Sequence, residues 1–283
     1  MTLDARALEP RRRVVPVQVT AVRGERWLRL PESLAAEEPL EIRVAFGGRS
    51  EPLGITMRTP GHDFELAAGF VLGEGVLPGQ EAIASVRYCT DEPAQRYNAV
   101  TVDSGVPVAL DGAARRFPIS SACGVCGSSS VEEVLGRCPP SVGRGPDLAR
   151  SLLVSLPDRL RAGQEVFDRT GGLHGAGLFD TTGEMLVVRE DIGRHNAVDK
   201  VVGWAALRHH LPLSASVLAV SGRLGFEIVQ KAAVAGIPAV VAVSAPSSLA
   251  VELARRVGMT VVAFVRGERA NLYSGEDRVV LDA

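Results

Sequence analysis

From residue 157 onward, short apolar runs rich in Val and Ala alternate with amphipathic stretches of helical period, and no other feature narrows the fold as far. The runs at 216–220, 239–243 and 260–265 are too short for helices and carry no charge, as strands covered on both faces must. Around them the spacing predicts helices over 196–210, 226–235 and 247–257, with Gly236 and Gly258 where helix C-caps belong. Upstream, a helix is expected over 158–168 and a strand pair over 173–179 and 185–189, joined by Asp180-Thr181-Thr182-Gly183. This order argues for a sheet with parallel neighbours and helices packed over it.

The first third reads as β-rich. Strands at 14–22 and 26–30 flank Arg23-Gly24-Glu25, and strands at 41–46 and 53–58 flank Gly47-Gly48, both hairpin signals. A helix over 63–74 carries Phe64, Leu66, Ala67, Phe70 and Val71 at helical spacing, and strands are expected at 84–89, 98–102 and 106–110. The stretch 118–146 is dense in Gly, Ser, Pro and Cys and reads as a loop bordering two subdomains. Its one helical piece, at 131–135, follows the capping-box pairs Ser129/Glu132 and Ser130/Glu133. The expected organisation is a disordered tail (1–13), a β-rich subdomain (14–117), a flexible thiol segment (118–146) and an α/β domain (147–283), a mixed α/β class overall.

With 283 residues, 46% of them hydrophobic, the chain has ample core, and a net charge of −2 gives no drive toward nucleic acid or an anionic membrane. Arg11-Arg12-Arg13, close to a terminus, reads as a solvated tail. The first fifteen residues lack the apolar centre of a signal peptide, and no apolar run approaches the ~18 residues that span a bilayer. The expected compartment is the cytoplasm, where thiols stay reduced.

The thiols carry the first chemical signal. Cys123 and Cys126 stand three apart in Ser120-Ser121-Ala122-Cys123-Gly124-Val125-Cys126-Gly127-Ser128, where small neighbours leave both sulfurs open. A neighbouring thiol and a following helix N-terminus both favour thiolate, the reactive form. Sulfur relay, a redox disulfide and half of a zinc site all suit such a pair. Zinc would need a second ligand pair, and Cys89 and Cys138 are isolated. A thioredoxin-like motif would open a helix after a strand, in a small βαβ context. A zinc nucleobase deaminase fails on ligands: none of the five histidines is followed by Glu two positions on, and Ala122 precedes Cys123. No resident metal is assigned.

Two further groups point to an anionic ligand. Thr170-Gly171-Gly172-Leu173-His174-Gly175 allows close backbone approach, and Asp191, Arg194, His195 and Lys200 cluster at a helix start, where backbone N–H groups attract anions. An internal salt-bridge network would use the same charged residues. Ser221-Gly222-Arg223, Ser244-Ala245-Pro246 and Phe264-Val265-Arg266-Gly267-Glu268-Arg269 each follow a predicted strand, at the carboxyl ends where open α/β sheets bind ligands. Arg223, Arg266 and Arg269 present guanidinium forks suited to phosphate.

Taken together, Ser-Ala-Cys-Gly-Val-Cys-Gly, Gly-Gly-Leu-His-Gly-Ala, Glu-Asp-Ile-Gly-Arg-His-Asn-Ala-Val-Asp-Lys and Ser-Gly-Arg-Leu-Gly-Phe-Glu-Ile-Val-Gln-Lys closely resemble the FdhD family, sulfur carrier proteins required for formate dehydrogenase activity. The resemblance runs from about Val14 to the C-terminus. It implies a sulfurtransferase that takes sulfur from a cysteine desulfurase and passes it to the bis(molybdopterin guanine dinucleotide) molybdenum cofactor before that cofactor enters formate dehydrogenase. It also implies a homodimer and a three-layer α/β/α main domain similar to cytidine deaminases, without their zinc. By the same resemblance Cys123 is the persulfide-bearing cysteine, Cys126 its partner, and Phe264, Val265, Arg266, Gly267, Glu268 and Arg269 the cofactor-binding segment. Cofactor-binding roles for His174, Asp191, Arg194, His195, Lys200, Ser221 and Arg223 rest on their chemistry alone. The alternative is a chaperone that binds the cofactor and never carries sulfur.

Overall fold

The computed structural model describes residues 12–89, 97–108, 118–119 and 138–281. Cys123, Cys126 and the helix expected at 131–135 lie outside the described residues. The chain opens with a ribbon of β1 (Val14–Arg23) and β2 (Arg26–Ala35), which reverses at Gly24, where φ is 61°. At its tip Val22 pairs with Trp27, whose side chain is 74% exposed. Next come β3 (Glu38–Phe46), β4 (Arg49–Arg58), α1 (Asp63–Gly73), β5 (Ile83–Tyr88), β6 (Ala99–Ser104) and the two-residue β7 (Pro118–Ile119). These strands form one sheet in the order β5-β6-β3-β4-β7, and α1 buries Leu66, Ala67, Phe70 and Val71 against it. Both predicted hairpins and the helix are present. Residues 106–108 are not strand, and the rest of that expected strand lies outside the described residues.

The second half holds β8 (Leu148–Ala149), α2 (Arg150–Ala162), α3 (Glu165–Thr170), β9 (His174–Asp180), β10 (Met185–Asp191) and α4 (Arg194–Ala206). It continues with β11 (Ser216–Val220), α5 (Phe226–Val234), β12 (Ala239–Ala242), α6 (Ser248–Val257), β13 (Thr260–Arg266), β14 (Arg269–Ser274) and β15 (Val279–Val280). Six strands form the sheet β10-β9-β11-β12-β13-β14. Its centre, β11-β12-β13, is parallel, as expected, and β9 and β14 run against it. Alternation explains how both faces are filled. Val217 and Ala219 point to a core with Leu153, Leu156 and Leu160 of α2, whereas Leu218 and Val220 join α4, α5 and α6. Helices therefore cover both faces, in three layers. Gly258 caps α6 in the left-handed region, and Gly236 follows α5 with φ 72°.

Two further sequence expectations need correction. The helix expected over 158–168 is two helices. The first starts at Arg150 and holds Pro157 inside it, and Gly163 ends it before α3 begins. The C-terminal stretch Arg269–Ser274, not recognised as a strand, returns antiparallel to β13.

The two halves meet where α1 crosses α4. A Cβ on Gly203 would lie 1.8 Å from the Glu65 carbonyl oxygen, and one on Gly69 would lie 1.9 Å from that of Asp199. Buried beside this crossing, Lys231 Nζ sits 2.7 Å from Asp199 Oδ1. Burial pushes the Asp199 carboxyl up to about 6, against the pull of Lys231.

Candidate functional site

The carboxyl ends of β10, β11, β12 and β13 and the start of β9 share one edge, because β9 runs against its neighbours. His174 is therefore the cross-strand partner of Asp191, and Ser221 follows Val220, which pairs with Ala176. Gly175 N donates to Ser221 Oγ at 2.8 Å, and Ser221 N donates to Gly175 O at 3.0 Å. Gly222 lies against the imidazole: a Cβ there would stand 3.1 Å from His174 Nδ1. The loops after β11 and β12 are tied by Leu224 N to Ala245 O (3.0 Å) and Ser247 N to Leu224 O (2.9 Å).

Helices α4, α5 and α6 begin at this edge. Arg194 opens α4, and His195 Nε2 reaches Glu227 Oε2 of α5 at 3.0 Å. Arg223, Arg266, Gly267, Glu268 and Arg269 are exposed. The segment Phe264–Arg269 is an irregular strand end followed by a hairpin tip, with Phe264 43% exposed at φ 55°, a rare conformation for a bulky residue. Its tip is held by Arg150 Nη2, which donates to Glu268 O at 2.9 Å. His174 titrates below its ordinary value, chiefly through burial and then through Arg194 and His195, so at neutral pH it is an uncharged imidazole.

Three of the residues singled out from sequence sit beneath this edge. Val265 is 1% exposed and packs in the core below α2. Asp191 and Lys200 form a buried ion pair of 2.6 Å, and both are fully engaged. Asp191 also accepts from Gly193 N, Asn196 Nδ2 and Thr59 N, while Lys200 Nζ donates to the carbonyls of Thr59 and Glu190. The pair clips the β4–α1 turn to the edge, a supporting task in place of the ligand contact expected for it. Neighbouring Glu190 accepts from Val166 N and Phe167 N and so caps α3.

Beside His174 and Ser221 opens a cleft of about 470 Å³ between the edge and the α2–α3 junction. Gln164, Arg161 and Phe167 line it too, and sequence reasoning missed all three because they fall inside what read as one helix.

A histidine outside the edge gives a pH signature. His62 precedes α1 at φ 59°, and its pKa is lowered to about 4, mainly by burial and then by Arg189. Unfolded, it returns to about 6.5 and binds more protons, so its contribution is complete above pH 6.5 and lost as pH falls toward 4. The expected outcome is a shallower fall of the urea midpoint between pH 6.5 and 4 in His62→Asn than in the parent. Identical slopes would refute it.

Fold and edge together define an α/β protein in which strand ends, the N-termini of three helices and exposed arginines lie along one edge of the sheet. The sequence matches the FdhD/NarQ family over residues 35–280. It is 50% identical over 280 residues to the sulfur carrier protein FdhD of Streptomyces coelicolor, covering 96% of each chain. It is 51% identical over 259 residues to that of Mycobacterium tuberculosis, covering 88% of this chain and 92% of the other. A crystal structure from Desulfotalea psychrophila, assigned as a formate dehydrogenase accessory protein, matches with a TM-score of 0.74 at 27% identity, over 95% of this chain and 100% of that one. The chain belongs to the FdhD/NarQ family. Among the described residues no helix is long and apolar enough to cross a membrane.

Proposed function

We propose that this protein is a cytoplasmic sulfur carrier. It takes sulfur from a cysteine desulfurase onto Cys123 and delivers it to the bis(molybdopterin guanine dinucleotide) cofactor, its cargo, for a formate dehydrogenase. A homodimer is part of this reading. The observation that carries it is the shared strand edge. His174, Arg194, Ser221, Arg223 and the Phe264–Arg269 segment, far apart in sequence, lie along that one edge, where three helices begin. Family membership and the names of the relatives support the sulfur chemistry.

Cys123 thiolate attacks the terminal sulfur of the donor's persulfide, forming Cys123–S–SH and releasing the donor's thiolate. Cys126 thiolate then attacks Cys123 Sγ, closing a disulfide and expelling hydrosulfide toward the cargo, and an external thiol reduces the disulfide. The chain enters this segment from β7, where Ile119 pairs with Thr56 of β4. Thr56 Oγ1 donates to Asn196 Oδ1 at 3.1 Å, so β7 starts the thiol segment beside α4.

The test is intact-protein mass spectrometry after incubation with a desulfurase and cysteine. A reducible gain of one sulfur atom on the parent, absent from Cys123→Ala, is the expected result. No gain on the parent, with an active desulfurase, would leave only the cofactor chaperone. Reversing Arg266 and Arg269 together to Glu should weaken GDP binding about tenfold or more, read by calorimetry. Unchanged affinity would remove the hairpin tip from the site.

A further inference from the structure

The ribbon of β1 and β2 pairs with no other described strand, and none of its residues is buried. A two-stranded ribbon of this kind is marginal in water and gains stability by being covered. Its tip concentrates two kinds of group. Trp27 and Val22 stand opposite each other across the strands, 74% and 58% exposed. Arg23 and Arg26 form the last pair before the turn, two like charges directly opposite, which disfavours the ribbon itself. Arg29 lies two residues back from Trp27 on the same face. None of these three guanidinium groups has an ion pair or hydrogen bond among the described residues, and Glu25 is the one carboxylate in the sequence between Val22 and Arg29.

The foot of the ribbon is fixed beside the strand edge. Ala36 N donates to Arg13 O at 2.9 Å, and Arg13 Nη2 lies 3.7 Å from Glu190 Oε2. A Cβ on Gly172 would stand 3.5 Å from Ala35 Cβ, and Gly172 lines the cleft next to His174 and Ser221. Both strands also lean on α3. Ten residues per strand, at about 3.3 Å each, set the tip roughly 30 Å from this foot. A protein gripped at the tip is therefore held within a ribbon's length of the edge. The sulfur donor has to reach Cys123, whereas the acceptor of the cargo has to come to the edge, so the ribbon's position selects the acceptor. That step rests on the sulfur-carrier reading above. Trp and Arg are the side chains that most often dominate an interface, and guanidinium groups without an internal partner fit carboxylates across it.

We propose that the ribbon tip is a docking arm for the acceptor enzyme, with Trp27 entering an apolar pocket and Arg23, Arg26 and Arg29 meeting carboxylates around it. Calorimetry between the full chain and the cofactor-free formate dehydrogenase of the same organism, at about 50 and about 300 mM salt, tests it. Trp27→Ser should weaken binding about tenfold or more. Arg23→Glu combined with Arg26→Glu should weaken it about tenfold at the lower salt and flatten its salt dependence, which a merely structural role would leave in place. Urea midpoints check that each variant folds, and the arginine variant decides the matter if Trp27→Ser does not. No binding by the parent, or parent-like affinity in the folded variants, overturns the proposal. So does a dimeric parent that the tip variants turn into monomers in light scattering, which gives the tip to a second copy. Binding of the parent to phosphatidylglycerol vesicles through the tip, with acceptor affinity unchanged in the variants, overturns it in favour of a membrane. Sulfur loading of the parent at Cys123 is read separately. If loading succeeds while the tip variants bind like the parent, only the docking arm falls; if loading fails, the carrier reading falls.

Discussion

Gly203→Ala is expected to unfold the protein or leave it barely stable, and Gly69→Ala to do the same. The added methyl carbon would stand 1.8 Å from the Glu65 carbonyl oxygen in the first case and 1.9 Å from the Asp199 carbonyl oxygen in the second. Overpacking a core ordinarily costs about 1–3 kcal/mol, because side chains shift to make room. Here the obstacle is main chain of the facing helix, so α1 and α4 must separate along their whole contact, and the loss should be about 3 kcal/mol or more. Gly105→Ala is the control, since a Cβ there meets nothing nearer than 3.8 Å and should change stability by less than about 0.5 kcal/mol. Urea unfolding of the three variants decides the matter. A parent-like midpoint for Gly203→Ala would show that the helices do not cross this closely.

Lys200→Met should cost about 3–5 kcal/mol, the usual effect of taking one partner from a buried ion pair. It leaves the Asp191 carboxylate, 0% exposed, without its counter-charge. The donors Gly193 N, Asn196 Nδ2 and Thr59 N remain on that carboxylate, which places the loss toward the lower end of the range. Adding Asp191→Asn to Lys200→Met should recover part of the loss, because no uncompensated charge is then buried. A double variant as unstable as the sum of the single ones would mean that the two residues act independently.

These residues also show how far the sequence could be read. The parallel strands were recognisable because Ser216–Val220 and Ala239–Ala242 are uninterrupted small apolar runs closed by turns. The start of α2 was hidden by Pro157, which usually ends a helix but here sits inside one, while Leu152, Leu153, Leu156 and Leu160 bury the helix's apolar face. The return strand Arg269–Ser274 escaped notice because its first three residues are exposed and give no apolar alternation. Asp191 and Lys200 stood out as charged groups at a helix start. Their engagement depends on Thr59, about 130 residues earlier, and spacing carries no trace of that contact. His174, Ser221 and Arg223 could be placed at strand ends from the pattern alone, whereas Gln164 gave no signal, since one glutamine inside what read as a single helix looks like any surface residue.

Thr59 is held at three atoms by the other half of the chain: its N by Asp191, its hydroxyl oxygen by Ile192 N and its carbonyl by Lys200. Together with the glycine crossing, this makes the two sheets one cooperative unit. A chain cut near residue 147 should therefore not yield a free-standing C-terminal fragment, and native-state hydrogen exchange should find α1 and α4 opening with a common free energy.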